Sequence, residues 1–241
     1  RDVAPSRGLG DVYKRQYIHI DEADSLLLDN EFFIYGGLRP TVKIQYYSTA
    51  SNVFFGGVLR TLKEKTFGSW NIEITEVKGK DTPATEGFDF YIFEHTVPKV
   101  LPKDGIIFLV NPDSSADAGF SIVRRNVQVN DYDGDGASLA IGDGEHPLVR
   151  YMDVEGIKVT QYSQVDEASL ERYDVLMYYE GNPVFFARNE ADSKIAVMTF
   201  SLNMSTLALS VYYPILIYNM FNYYLPSTLT EDLCDVYDTI E

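Results

Sequence analysis

Cysteine is almost absent from this chain. Its 241 residues hold one, Cys234, close to the C-terminal end. A lone thiol excludes an internal disulfide and a cysteine-based zinc site, although low cysteine use fits any compartment. Histidine is nearly as scarce. His19, His95 and His146 never stand one helical turn apart, so no histidine metal motif is present. Basic residues number 20 against 36 acidic ones, giving a net charge of −16. Phosphate backbones and anionic lipid heads require clustered Lys and Arg, and the chain has no basic run, which argues against nucleic acid as a partner. An acidic surface of this kind serves solubility.

Catalytic motifs are missing too. There is no G-x-S-x-G elbow, no Gly-rich phosphate loop and no cysteine near a strand end. Ser114 and Ser115 follow a strand-like run, but no particular histidine pairs with them. Ser201 and Ser205, in FSLNMSTLAL, stand between a strand and a helix, where their hydroxyls act most simply as caps. These absences argue against a hydrolase or a nucleotide enzyme. No membrane span is present either. Leu207 to Leu225 carries no charge and approaches spanning length, but it contains Ser210, Pro214, Asn219, Asn222 and five tyrosines. It reads as a buried helix that begins near Pro214.

What the chain does have is apolar and aromatic mass. Its apolar fraction of 45% can build a real core, and 18 Tyr and 14 Phe favour half-buried sheet faces. The first sixteen residues, RDVAPSRGLGDVYKRQ, show no hydrophobic period and lack the apolar stretch of a signal peptide. Two readings stand for them: adaptor-derived sequence, or a disordered basic arm. YIHIDEA and NEFFIYGG then read as two short strands joined through DSLLLDN, the end of an upstream β-domain.

A new unit starts after Arg39-Pro40. VKIQYY (Val42 to Tyr47) is a buried strand, STASN supplies cap chemistry, and Val53, Phe54, Val58, Leu59 and Leu62 recur at helical spacing up to Phe67. Strands follow at Asn71 to Val77, Phe88 to Phe93 and Gly105 to Val110. Strand, helix and further strands at short intervals predict a doubly wound, flavodoxin-like parallel sheet. Asp113 to Asp143 is a polar excursion that holds a strand at Ser121 to Val129. HPLVRYMD predicts a short helix, and Ile157 to Tyr162 a strand. Asp174 to Tyr179 and Pro183 to Ala187 flank a hairpin turn, and Lys194 to Phe200 forms a last strand.

Two local patterns carry candidate chemistry. Asp131, Asp133 and Asp135, with Gly136, match the opening of an EF-hand-type calcium loop, in which alternate carboxylates meet a cation. The twelfth position would be Gly142, where a bidentate Glu is needed, so an acidic turn is the competing reading. Asp143 and Glu145 are the late ligands on offer, and calcium is the one cofactor in view. Glu94 and His95 end a strand at the carboxyl edge, where ligands gather in open α/β folds, and they form the best acid/base pair. The competing reading is a polar strand end.

The strings DNEFFIY, VKIQYYSTASNVFF, FDFYIFEHTVPKVLPKDGIIFLVNP, HPLVRYMD and KIAVMTFSLNMSTLALSVYYPILIYNMFNYYLP together resemble one group of bacterial membrane proteins. These contain a von Willebrand factor A domain of the aerotolerance, BatA-like type. A region after that domain is similar to the class I glutamine amidotransferase fold. The resemblance runs from Asp21 to Pro226. True amidotransferases carry a cysteine on a strand-to-helix elbow. Here FDFYIF is followed by Glu94, His95, Thr96, Val97 and Pro98, so the activity does not carry over. The D-x-S-x-S metal motif of the A domain is also absent, since the run from Asp113 lacks that spacing.

The resemblance implies transmembrane helices outside this piece, an extracytoplasmic position, and protein partners or neighbouring domains as contacts. The expected organisation is a leader (residues 1–16), the last strands of a β-sandwich (17–38), the amidotransferase-like α/β domain (39–226) and an acidic tail (227–241). The expected role is a non-catalytic interaction or scaffold domain. The alternatives are a metal-assisted hydrolase using Glu94 and His95, and a carbohydrate- or peptide-binding module.

Overall fold

Strands buried on both faces read as unbroken apolar runs, and strands buried on one face alternate. Both patterns are realised here. The computed structural model describes residues 14–19, 31–36, 41–49, 53–64, 70–79, 81–129, 138–191 and 193–225. The chain divides into two compact units, Arg1–Pro40 with Thr228–Glu241, and Thr41–Ser227. The first contains β1 (Lys14–His19) and β2 (Glu31–Gly36), an antiparallel pair with Tyr17 opposite Phe33. β1 takes in Lys14, Arg15 and Gln16, which the sequence places in the leader. The DSLLLDN connection lies outside the described residues.

The second unit carries, in order, β3 (Thr41–Ser48), α1 (Val53–Glu64), β4 (Asn71–Lys78), β5 (Phe90–Glu94), β6 (Ile106–Val110) and β7 (Ile122–Gln128). Then follow β8 (Leu139–Ile141), β9 (Gln161–Val165), β10 (Asp174–Tyr179), β11 (Asn182–Glu190), β12 (Ser193–Met198) and α2 (Tyr212–Tyr224). Eight strands form one sheet in the order β4-β3-β5-β6-β12-β11-β10-β8. Neighbours from β4 to β12 are parallel, and β11, β10 and β8 extend the sheet antiparallel. Numbered as they occur in the chain, the parallel strands run 2-1-3-4-5, the flavodoxin-like order. The unit is thus a mostly parallel α/β sheet of the flavodoxin-like kind.

Strand parity sorts the core into two layers. Ile44, Phe90, Ile92, Phe108 and Val110 face one way, where Phe55 and Leu59 of α1 and Leu216, Ile217 and Phe221 of α2 cover them. Tyr91, Phe93, Ile107, Leu109 and Val197 face the other way. That second layer is covered by Ala118, Phe120, Val165, Leu170 and Tyr173, from the β7–β9 ribbon and short 3-10 turns. The expectation of helices around the sheet therefore holds for one face. Each buried Phe contributes about 1.5–3 kcal/mol.

Three local expectations are corrected. HPLVRYMD forms hydrogen-bonded turns rather than a helix, with His146 O accepting from Val149 N–H at 3.0 Å and Tyr151 left-handed at φ 64°. The strand placed at Ile157 to Tyr162 begins only at Gln161, and Val159 makes an isolated bridge to Ser205. The polar excursion also contains β8, which the sequence does not signal. By contrast, α2 does contain Pro214 in its first turn, where a missing N–H is harmless. Among the described residues no helix is long and apolar enough to cross a membrane.

Candidate functional site

β5 and β6 end side by side, and the residue after each turns out of the sheet in a left-handed conformation: His95 at φ 62° and Asn111 at φ 44°. Non-glycine residues adopt such angles rarely, and they gather at sites where geometry is over-determined. Ser201, three residues beyond the end of β12, completes the group. His95 Nδ1 lies 3.1 Å from Asn111 Nδ2, and His95 Nε2 lies 3.4 Å from Ser201 Oγ. The imidazole is about a quarter exposed, at 24%.

Glu94 precedes His95 but behaves differently. It is in phase with Phe90 and Ile92, so its side chain points into the helix-covered layer and is 0% exposed. Tyr46 donates to its Oε2 at 2.5 Å and Ser48 donates to the same oxygen at 3.2 Å. Burial first, and then the Glu94 charge, push the Tyr46 phenol far above its usual range. The nearby Tyr213 hydroxyl is raised for the same two reasons, with Tyr46 adding to them. Glu94 Oε1 stands 3.7 Å from His95 Nε2. Glu94 is the last residue of its strand, as read from the sequence, and its carboxylate is buried there.

A recess of about 280 Å³ opens above His95, lined by His95, Asn111, Arg125, Asn126, Gln161, Ser201, Asn203 and Met204. The β7–β9 ribbon supplies Arg125 and Asn126 through an irregularity. Register shifts between Arg124 and Val127, and Asn126 is left-handed at φ 55°. Such bulges re-aim side chains next to sites.

The chemistry available to this group follows from its hydrogen bonds. With the Asn111 amide nitrogen donating to Nδ1, the ring carries its proton on Nε2 and cannot take one from Ser201. The opposite amide orientation would make Nε2 the acceptor. Ser201 is 2% exposed, and its Oγ also accepts the Asn203 N–H at 3.3 Å as the cap of a 3-10 turn, as its position in the sequence implies. No helix begins directly after β5 or β6; β6 is followed by a three-residue 3-10 turn at Ala116–Ala118. Among the described residues, the helix N-terminus beside His95 is that of the short 3-10 turn Leu202–Met204, which Ser201 caps.

The structure holds Glu94 and His95 close to each other, with Glu94 Oε1 3.7 Å from His95 Nε2. It adds Ser201, which lies 106 positions away in the chain and which no local motif joins to a histidine. His146 is elsewhere, with Nε2 3.9 Å from Asp174 Oδ2. Asp113 accepts the Val97 N–H at 3.1 Å, which ties the two loops after β5 and β6. Asp131, Asp133 and Asp135 lie outside the described residues. Among the described residues no cluster of three or more His, Cys, Asp or Glu is placed to hold a metal ion.

No protein-family model and no curated protein matches the chain. Solved structures do resemble it. A cytoplasmic protein from Salmonella typhimurium superposes with a TM-score of 0.56 at 10% identity, over 76% of this chain and 99% of that one. A second, from Salmonella typhimurium LT2, gives 0.53 at 10% identity over 76% and 99%. A ThuA-like protein from Parabacteroides merdae ATCC 43184 gives 0.48 at 12% identity over 76% and 90%. At such identities the likeness is one of fold alone, a mostly parallel α/β sheet.

Proposed function

We propose that the α/β unit is a non-catalytic interaction or scaffold domain. In this reading its parent is a membrane-anchored bacterial protein of the BatA-like, von Willebrand factor A-domain kind, and the unit stands outside the cytoplasmic membrane. One observation carries the absence of catalysis: the strand end where an amidotransferase-like fold would present a nucleophile holds His95, and the chain leaves it as a loop rather than a helix. Contact with other proteins is supported by apolar side chains left exposed between β12 and α2, namely Leu209 at 75% and Val211 at 70%, with Met204 at the recess. Exposed apolar residues mark protein–protein surfaces where they form a contiguous patch.

The test is turnover by the whole chain of glutamine and of a p-nitrophenyl ester, with and without added divalent metal. No rate above buffer is expected. A rate abolished by His95→Ala or by Ser201→Ala would overturn the reading. That outcome is the one favoured by the His95–Ser201 contact, which supports a hydrolase as the second reading. The membrane assignment is tested in the native host. The protein should sediment with membranes and be cut by protease added to intact spheroplasts; recovery in the soluble, protected fraction would exclude it.

A further inference from the structure

The opposite, amino-terminal edge of the sheet carries a larger cavity, of about 740 Å³, and Arg188 on β11 is among the residues that line it. Arg188 is 7% exposed, yet it has no carboxylate partner among the described residues. It lies over the Tyr173 ring at 4.9 Å, and Nη2 donates to Ser193 Oγ at 2.6 Å, while Nε has no hydrogen-bond partner among the described residues. A buried cation is ordinarily paired, because its lost hydration must be replaced. Lys103 and Lys194 stand on the same cavity wall. The carboxylates there are partly committed elsewhere. Asp104 accepts from Tyr91 OH at 2.6 Å and Gly87 N–H at 2.7 Å, and Asp89 accepts the Lys43 N–H at 2.8 Å. Asp117 also borders the cavity, so three carboxylates line it together with Arg188, Lys103 and Lys194.

The rest of the lining is apolar, with Leu101, Ile107, Ile195 and Leu225 contributing, and the volume suits a small organic molecule. We infer that this cavity is a binding site for an organic acid with an apolar body, its carboxylate meeting Arg188 and its body lying against the apolar wall. The site is separate from the recess above His95, shares none of its residues, and does not depend on the role proposed for that edge.

Calorimetric titration of the whole chain with 3-phenylpropionate tests this, with 3-phenylpropionamide and acetate as controls. The acid should bind saturably, and the amide and acetate should each bind at least about tenfold more weakly. The Arg188 Nε–H resonance should shift during the acid titration. Arg188→Gln should abolish binding; if that variant does not fold, Lys194→Gln should weaken binding of the acid and leave that of the amide unchanged. No saturable heat up to about 10 mM acid would overturn the site. Equal affinity for acid and amide would overturn the role of the cation, and equal affinity for acid and acetate that of the apolar wall.

Discussion

Two buried tyrosines near Glu94 differ in what their hydroxyls find. Tyr46 gives its proton to the carboxylate at 2.5 Å, whereas the Tyr213 hydroxyl has no hydrogen-bond partner among the described residues. Removing a donor from a buried acceptor costs about 1–3 kcal/mol, while removing an unpartnered hydroxyl relieves a desolvation cost. Tyr46→Phe should therefore destabilise the chain by about that amount in denaturant unfolding, and Tyr213→Phe should be neutral or stabilising. Equal losses from both would mean that packing alone matters there. His146 offers a pH test. Burial lowers its pKa below 6.5, outweighing the pull of Asp174 and Asp143. The Leu148 N–H donated to its Nδ1 at 3.2 Å also requires the unprotonated nitrogen. The unfolded state then binds the proton more readily, so stability is whole above about 6.5 and is lost as pH falls toward the folded value. His146→Gln should flatten that limb, and NMR should find the ring titrating below 6.5. At this scale the sequence was a partial guide. Glu94 and His95 were legible as a strand end, but the burial of the Glu94 carboxylate was not, since both faces of β5 are covered. Ser201 was not legible as a neighbour of His95, since pairing across 106 residues leaves no local periodicity.

Strands and helices are legible when their signal is local. β5 and β6 are apolar runs bounded by polar turns, and α1 repeats its apolar residues at helical spacing, so all three stand close to where the sequence puts them. HPLVRYMD shows where that fails: its apolar residues serve a turn that buries Leu148 and Val149 in the core. β8 is only three residues long and exists because β10 pairs with it, which no local pattern encodes. The entrance to β6 depends on one glycine. Gly105 has φ 67°, and a Cβ there would stand 2.4 Å from Phe88 O and 2.8 Å from Asp89 O. Gly87, also left-handed at φ 91°, has open space around its missing Cβ. Gly87→Ala should thus cost only the left-handed term, about 1–2 kcal/mol, and Gly105→Ala clearly more, because backbone must move as well. Comparable melting points for the two variants would show that the loop yields freely.

Charge acts on the molecule as a whole. A net −16 in 241 residues means that acidic groups repel one another across the surface of the folded chain, and compaction strengthens that repulsion. Local pairs do little against it. Arg172 and Glu190 form an ion pair, but the arginine side chain is 62% exposed, and exposed pairs contribute little. Added salt screens the long-range repulsion, with a Debye length that shortens from about 30 Å at 0.01 M to about 8 Å at 0.15 M, while buried contacts such as Tyr46 with Glu94 are screened far less. Melting temperature should therefore rise between those two salt concentrations at neutral pH. Sodium chloride and sodium acetate should act alike if screening is the cause, since acetate lacks the apolar body needed for the Arg188 cavity. A melting temperature that falls with salt would mean that attractive pairs outweigh the excess of negative charge. A rise with only one of the two salts would point to a bound anion in place of a screened surface.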